Sequence, residues 1–262
     1  MTYTAAALAE LAEEQAKVPE ATALLTERFL AWPFRNARAR EMAHHGFVRR
    51  LRSIATCVHN VFGELPPGQA EPPDDEVRHN AEVNVQASVV HAYGACDNLA
   101  WVWVCERNIT QASGAPLPDQ WVGLKPGNNA VRNSFSAEFR AHLATFDPWF
   151  NEYLKDFRDA LAHRIPLYIP PYVVFAADAD KYKQLEQDEM QALLHGDLDL
   201  ATQLKAQRDE LMHFRAWMQH SFVEEAGRVG FHAQLLADFN TVVDLGNRVL
   251  DELEAANADA AA

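Results

Sequence analysis

Cysteine is scarce in this chain, and its three examples, Cys57, Cys96 and Cys105, are odd in number and widely spaced. Such a set builds neither a disulfide framework nor a Cys-x-x-Cys redox or zinc motif, so buried thiols in a reducing cytoplasm are the expectation. Long apolar runs are missing too. The most apolar stretch, Leu99 to Cys105, falls far short of the roughly 20 residues that cross a bilayer. Residues 1–20 are Ala-rich and acidic, without the basic start and apolar stretch of a secretory leader, so neither export nor a membrane location is expected. There is also no glycine-rich phosphate loop and no Gly-x-Ser-x-Gly elbow, which removes the support for the common nucleotide-binding and hydrolase folds.

Positive charge is in deficit: 23 Lys and Arg stand against 37 Asp and Glu, a formal net charge of -14. A chain of that sign repels polyanions at long range, which disfavours a general nucleic-acid coating role but leaves room for a local basic cleft. Arg35, Arg38, Arg40, Arg49, Arg50 and Arg52 cluster early and read as a solvated helix face. At 262 residues the chain can bury a full core without a metal or disulfide staple.

What is abundant is helical pattern. Good helix formers fill 4–30, and again 36–62 after Trp32-Pro33-Phe34 interrupts. Residues 63–73, rich in proline and glycine, form the clearest linker. A central helix is predicted over 74–108, capped by Asp74 or Asp75 and apolar in its second half. Asp97 lies in that half, where an unpaired carboxylate is expensive, so it should be hydrogen-bonded or face a cleft. Residues 109–128 read as a long irregular connection. A helix starting near Asp147-Pro148 should run through Leu161, followed by a proline-rich arm or short strand over 165–175. A helical pair over 179–195 and 197–222 comes next, broken at Gly196-Asp197. The final helix carries Leu235, Leu236, Phe239, Val242, Val249 and Leu253 on one face. Most tryptophans fall in these apolar patterns and read as core rather than as a base-stacking surface.

The stretch most suggestive of chemistry is Arg158-Asp159-Ala160-Leu161-Ala162-His163, running toward Pro166. Five residues on a regular helix separate Arg158 and His163 by about 140 degrees. Pro166 should end the helix near His163 and let the imidazole swing back toward the guanidinium. An always-charged fork beside a histidine that titrates near neutrality suits cleavage of RNA by its own 2'-hydroxyl without metal.

An arginine, four to six intervening residues and a histidine, with a polar residue just after the arginine, resembles the hallmark of the HEPN superfamily. The match covers about six residues, with compatible helices over 75–255. The resemblance implies an all-α, HEPN-like helical bundle with an N-terminal helical extension (1–62), the 63–73 linker, a HEPN-like domain (74–255) and a disordered tail (256–262). It further implies an endoribonuclease or RNA-binding protein in a toxin or defence setting, dimeric, with an antitoxin protein as partner and no cofactor. In that reading Arg158 clamps phosphate, His163 is a general acid or base and Asp159 organises the site. Asp97, Arg164, Tyr168 and Tyr172 are candidate binding residues.

Two alternatives stay open. In a noncatalytic interaction protein the same arginine and histidine only finish a helix. Glu41 to His44 and Glu210 to His213 also match the Glu-x-x-His pairs of di-iron bundles, though the two further glutamates such a site needs have no clear source. Arg40 to His45, Arg208 to His213 and Arg215 to His220 repeat the Arg158 to His163 spacing, but read as lying inside longer helices.

Overall fold

Four long helices meet around one hydrophobic core in this computed structural model, which describes residues 3–221 and 227–259. Helix α1 (Ala5–Ala31) begins where the Thr4 hydroxyl accepts from the Ala7 amide, satisfying one of the orphan donors of the first turn. Helix α2 (Ala37–Glu41) is capped in the same way by Asn36. It passes through a π-helical turn, Met42–Phe47, into α3 (Val48–Glu64). Helix α4 (Asp75–Glu106) is the central rod, with Val85, Val89, Ala92, Cys96, Leu99 and Trp103 buried on it. Helix α10 (Phe231–Asp259) packs against α1, α3 and α4.

The remaining elements decorate this bundle: α5 (Asn129–Arg132) and α6 (Ala137–Thr145), then α7 (Lys155–His163), α8 (Ala179–Leu194) and α9 (Leu198–Asp209). The protein is thus predominantly helical. Among the described residues there is no strand, only isolated bridges, and no helix long and apolar enough to cross a membrane.

The seam between α3 and α4 is set by two glycines. A Cβ on Gly46 would lie 2.7 Å from the Asn98 side chain, and one on Gly94 would lie 2.4 Å from the Arg50 guanidinium. The π turn before α3 therefore leaves a notch for a side chain of α4, and α4 leaves one for a side chain of α3. The two inserted groups meet, Arg50 Nε donating to Asn98 Oδ1 at 3.0 Å.

Three sequence expectations need correction. The helix predicted over 197–222 ends at Asp209, and the chain beyond it pairs through bridges of His213 with Val173, Gln219 with Tyr168 and Met218 with Val229. Phe214 and Met218, taken as a helical stripe, are buried. A four-residue spacing also falls on one face of an extended chain, so pairing along the proline-rich segment satisfies the same pattern. Phe222, assigned to that helix, lies outside the described residues. Consequently neither the Arg208 to His213 nor the Arg215 to His220 pair sits inside a helix. Finally, α10 continues through Asp259, so residues 256–259 are helical rather than part of a disordered tail; residues 260–262 lie outside the described set.

The helix expected from Asp147 onward starts with a π turn, Trp149–Leu154, before α7. The extra residue in that turn has a visible anchor. Trp149 Nε1 donates to Asp238 Oδ1 on α10 at 2.8 Å, Gln234 Nε2 donates to the same oxygen at 2.7 Å, and the Tyr153 hydroxyl donates to Oδ2 at 3.4 Å. Both aromatic donors come from the π turn, so the buried carboxylate fixes where α7 starts and hence where it points.

Asp238 is 1 % exposed, and burial pushes its pKa up to about 7 against those three hydrogen bonds. A carboxyl raised above its unfolded value of about 3.9 holds its proton more tightly when folded. The stability it contributes is therefore full below about pH 4 and is lost as pH rises toward 7. Asp238→Asn keeps an acceptor for Trp149 and Gln234 but does not titrate. The melting temperature of the variant minus that of the wild type should rise between about pH 4 and 7 and level off above. A difference that is flat across that range would show that Asp238 does not carry this pH dependence.

Candidate functional site

Arg158 emerges from the middle of α7 over the surface of α4. Its guanidinium carbon stands 4.4 Å from the centroid of the Tyr93 ring, a cation–π stack, and its Nη1 pairs with Asp159 Oδ1 at 3.1 Å. Its Nε is buried and has no hydrogen-bond partner. Such an orphan donor costs free energy unless something accepts from it.

The space beside it is a cleft of about 420 Å³. Arg50 on α3, Lys125 from the irregular 109–128 connection and Arg158 on α7 all line it; Val90, Tyr93, Gly94 and Asp97 of α4 form one wall, and Asp119, Gln120 and Val122 complete the lining. Helix α4 supplies Val90, Tyr93, Gly94 and Asp97 at i, i+3, i+4 and i+7, so one helical face carries the valine, the ring, the notch and the carboxylate. Lys125 Nζ donates to the Tyr93 hydroxyl at 3.3 Å. Three cations from three elements thus converge in a protein whose net charge is -14.

Asp97 sits among those cations without bonding to them. Among the described residues no hydrogen bond or ion pair reaches its carboxylate; burial raises its pKa to about 6, with Lys125, Arg158 and Arg50 acting only at a distance to lower it. Of the two sequence options for this residue, it is the cleft that the structure gives.

A second cavity of about 380 Å³ adjoins the first, with Val90 lining both. Val83, Gln86, Ala87, Val90 and His91 of α4 line it together with Leu161 of α7. The shared valine makes one trough along α4, charged at the Asp97 end and apolar at the Val83 end. It also accounts for two large apolar side chains left in solvent, Val83 at 51 % and Val90 at 45 % exposure.

The sequence-predicted residues divide sharply. Arg158 and Asp97 line the cleft, and Asp159 stands behind as the ion-pair partner of Arg158. His163 is the last residue of α7, as the proline predicts, but it is exposed and lines neither cavity. Helix α7 is regular from Lys155 to His163, so the angular separation of the two side chains persists. Arg164 bonds to the Asp156 carboxylate and carbonyl. Burial would raise the Asp156 pKa, but Arg164 and His220 hold it below the usual carboxylate range. Tyr168 is bonded to Gln219 through both backbone and hydroxyl, and the Tyr172 hydroxyl lies 2.9 Å from that of Tyr182. None of these three lines the cleft.

The rival constellations are otherwise engaged. Arg208 pairs with Glu189 at 2.7 Å, His44 Nε2 lies 3.1 Å from the Phe29 carbonyl, and His213 stacks on Phe175. Among the described residues no three His, Cys, Asp or Glu side chains are grouped to hold a metal ion.

Sequence reasoning missed Arg50 and Lys125 as site residues. Arg50 was grouped with the solvated arginines, although Gly94 within an otherwise apolar helix hinted at a close approach. Lys125 fell in a connection long enough to suggest a functional loop, but nothing singled it out.

No family model, curated protein or solved structure matches this chain. The reading of the cleft rests on its own geometry.

Gly94→Ala tests the notch. The added methyl meets only the tip of a flexible side chain, so Arg50 should swing away rather than the helices part. Helix propensity gains about 1 kcal/mol and the lost bond from a charged group costs about 1.5–3 kcal/mol. The melting temperature should therefore fall only modestly, while the affinity for inorganic phosphate, followed by calorimetry, should fall. A large loss of stability would instead mean that the seam itself cannot accept the methyl.

Proposed function

We propose that the protein is a HEPN-like RNA-binding protein whose site is the Arg50–Lys125–Arg158 cleft, holding the phosphodiester backbone of a single-stranded segment. The single observation that carries this reading is the convergence of three cations from separate elements on one concave surface of an acidic protein, with the motif arginine among them. Cations gathered against the net charge of the chain serve a local anionic ligand. Guanidinium groups suit phosphate because their planar fork donates two parallel bonds. The adjoining trough gives an apolar bed next to the charged end, as a strand of alternating phosphates and bases requires.

The family resemblance of Arg158, Asp159 and His163 adds the setting: a toxin or defence factor acting in the cytoplasm as a homodimer with an antitoxin partner. Within one chain the geometry favours binding over cleavage, because the histidine that would exchange protons does not line the cleft.

Arg158→Ala should weaken binding of a labelled single-stranded RNA by roughly ten- to a hundredfold, the loss of a charge-assisted hydrogen bond worth about 1.5–3 kcal/mol. The slope of log affinity against log salt should become shallower by about 0.7 for the one phosphate contact removed. Fluorescence anisotropy at several salt concentrations reads both. RNA affinity unchanged by Arg158→Ala, or absent from the folded wild type, would turn the assignment to a helical interaction protein. Cleavage of the RNA in EDTA to 2',3'-cyclic phosphate ends, abolished by His163→Ala, would restore the nuclease reading.

A further inference from the structure

We propose that Asp97 is the ribose-recognising residue of the cleft, accepting a hydrogen bond from the 2'-hydroxyl next to the bound phosphate and so selecting RNA over DNA. The inference rests on the RNA-binding reading and narrows it to the sugar.

The argument starts from a mismatch. A carboxylate in a site for an anion repels the ligand, and burial already makes its charged form costly. If Asp97 served only to balance charge, an ion pair with a neighbouring cation would be the economical arrangement. The cations are instead committed elsewhere: Arg50 Nε to Asn98, Lys125 to the Tyr93 hydroxyl, and Arg158 to Asp159 and the face of Tyr93. Asp97 is left as an acceptor facing the cleft, and Arg158 Nε as a buried donor without a partner. A carboxylate without a partner and a guanidinium lining one cavity call for a ligand that both donates and accepts.

A ribonucleotide unit does so over a short span. Its phosphate oxygens only accept, whereas the 2'-hydroxyl, on the carbon next to the one bearing the 3'-phosphate, donates. That hydroxyl is the group by which a protein tells RNA from DNA at a given position, and acidic side chains hold ribose hydroxyls in the same way in dinucleotide sites. The base attached to that ribose then has the Val90 side of the trough available, where the lining turns apolar. Five charged groups face this position: Arg50 from α3, Lys125 and Asp119 from the connection, Arg158 from α7 and Asp97 itself.

The test compares a labelled mixed-sequence single-stranded RNA with the deoxy oligonucleotide of the same sequence, uracil retained, by anisotropy on the full-length protein at pH 8 in EDTA. The wild type should bind the RNA about tenfold more tightly, one charge-assisted hydrogen bond's worth. In Asp97→Ala the ratio should collapse to about one, chiefly because DNA affinity rises as the repulsive carboxylate leaves. Asp97→Asn, which keeps the shape and a weaker acceptor, should give an intermediate ratio, and melting curves confirm that both variants are folded.

The outcomes separate cleanly. A purely electrostatic Asp97 would tighten both ligands equally and leave the ratio intact; a purely structural one would weaken both. Either result overturns the ribose assignment. Equal wild-type affinities for RNA and DNA, both lost in Arg158→Ala, would overturn it while leaving the phosphate site standing. If neither oligonucleotide binds the folded wild type, the RNA reading falls and the inference falls with it.

Discussion

The hydrogen bond from Arg50 to Asn98 is the interaction on which the placement of the cleft depends. It spans the seam of α3 and α4 where Gly46 and Gly94 leave room, since each glycine lies against the polar side chain from across the seam. Asn98 also faces back toward the π turn before α3, with its amide 3.7 Å from Met42 Sδ. One polar link thus joins the turn, the two helices and the cleft-lining arginine. Its energetic value is modest, about 1.5–3 kcal/mol for a bond to a charged group. Its geometric value is larger: the Arg50 guanidinium itself lies over the Gly94 notch, held there by Asn98, and from that position it lines the cleft.

The other wall of the cleft is held by a second polar cluster at the far end of α4. Arg78 bonds Glu82 at 2.6 Å, and Glu82 in turn accepts from the backbone amide of Ile169 at 2.9 Å. Gln86 donates to the Leu167 carbonyl at 2.6 Å. Segment 167–169 contributes little ladder of its own, so these side chains of α4 satisfy backbone groups that a full sheet would otherwise pair. Because the segment leaves α7 within a few residues of His163, pinning it to α4 holds the carboxyl end of α7 down as the Asp238 cluster holds the beginning. The stack of Arg158 on Tyr93 lies between those two anchors.

Legibility of the sequence followed the range of the forces involved. Helix α4 could be read to within a few residues from the linker before it, its acidic cap and its apolar second half, and α10 from the 3.6-residue period of its buried face. The stretch after Asp209 could not, since Phe214 and Met218 lie on one face of a helix and of an extended chain alike, and the partners that decide between them, Val173, Tyr168 and Val229, lie in other segments of the chain. The cleft shows the same division. Arg158 and Asp97 could be singled out, one by local motif and one by the cost of a carboxylate in an apolar helix. Arg50 and Lys125 became visible only through the tertiary placement that brings α3 and the 109–128 connection to the same wall. The position of His163 turned on whether a helix end would let a side chain fold back, and a regular final turn kept it outside.

The charge balance of the cleft is informative about the kind of ligand it suits. Three cations line the cleft against Asp97 and Asp119, and Asp159 behind Arg158 offsets the charge that is left, so the cleft holds no large excess of positive charge. A longer run of phosphates would meet the acidic surface of the remaining protein, and in a chain of net charge -14 that repulsion falls on every nucleotide outside the trough. On the RNA reading proposed above, affinity would not come from length, as it does for basic proteins that track a strand. It would come from short-range complementarity within a few nucleotides, through the stacked guanidinium and the free carboxylate. A site built that way gives up tight nonspecific attachment and gains discrimination, because each of its contacts depends on a functional group of the ligand rather than on its total charge.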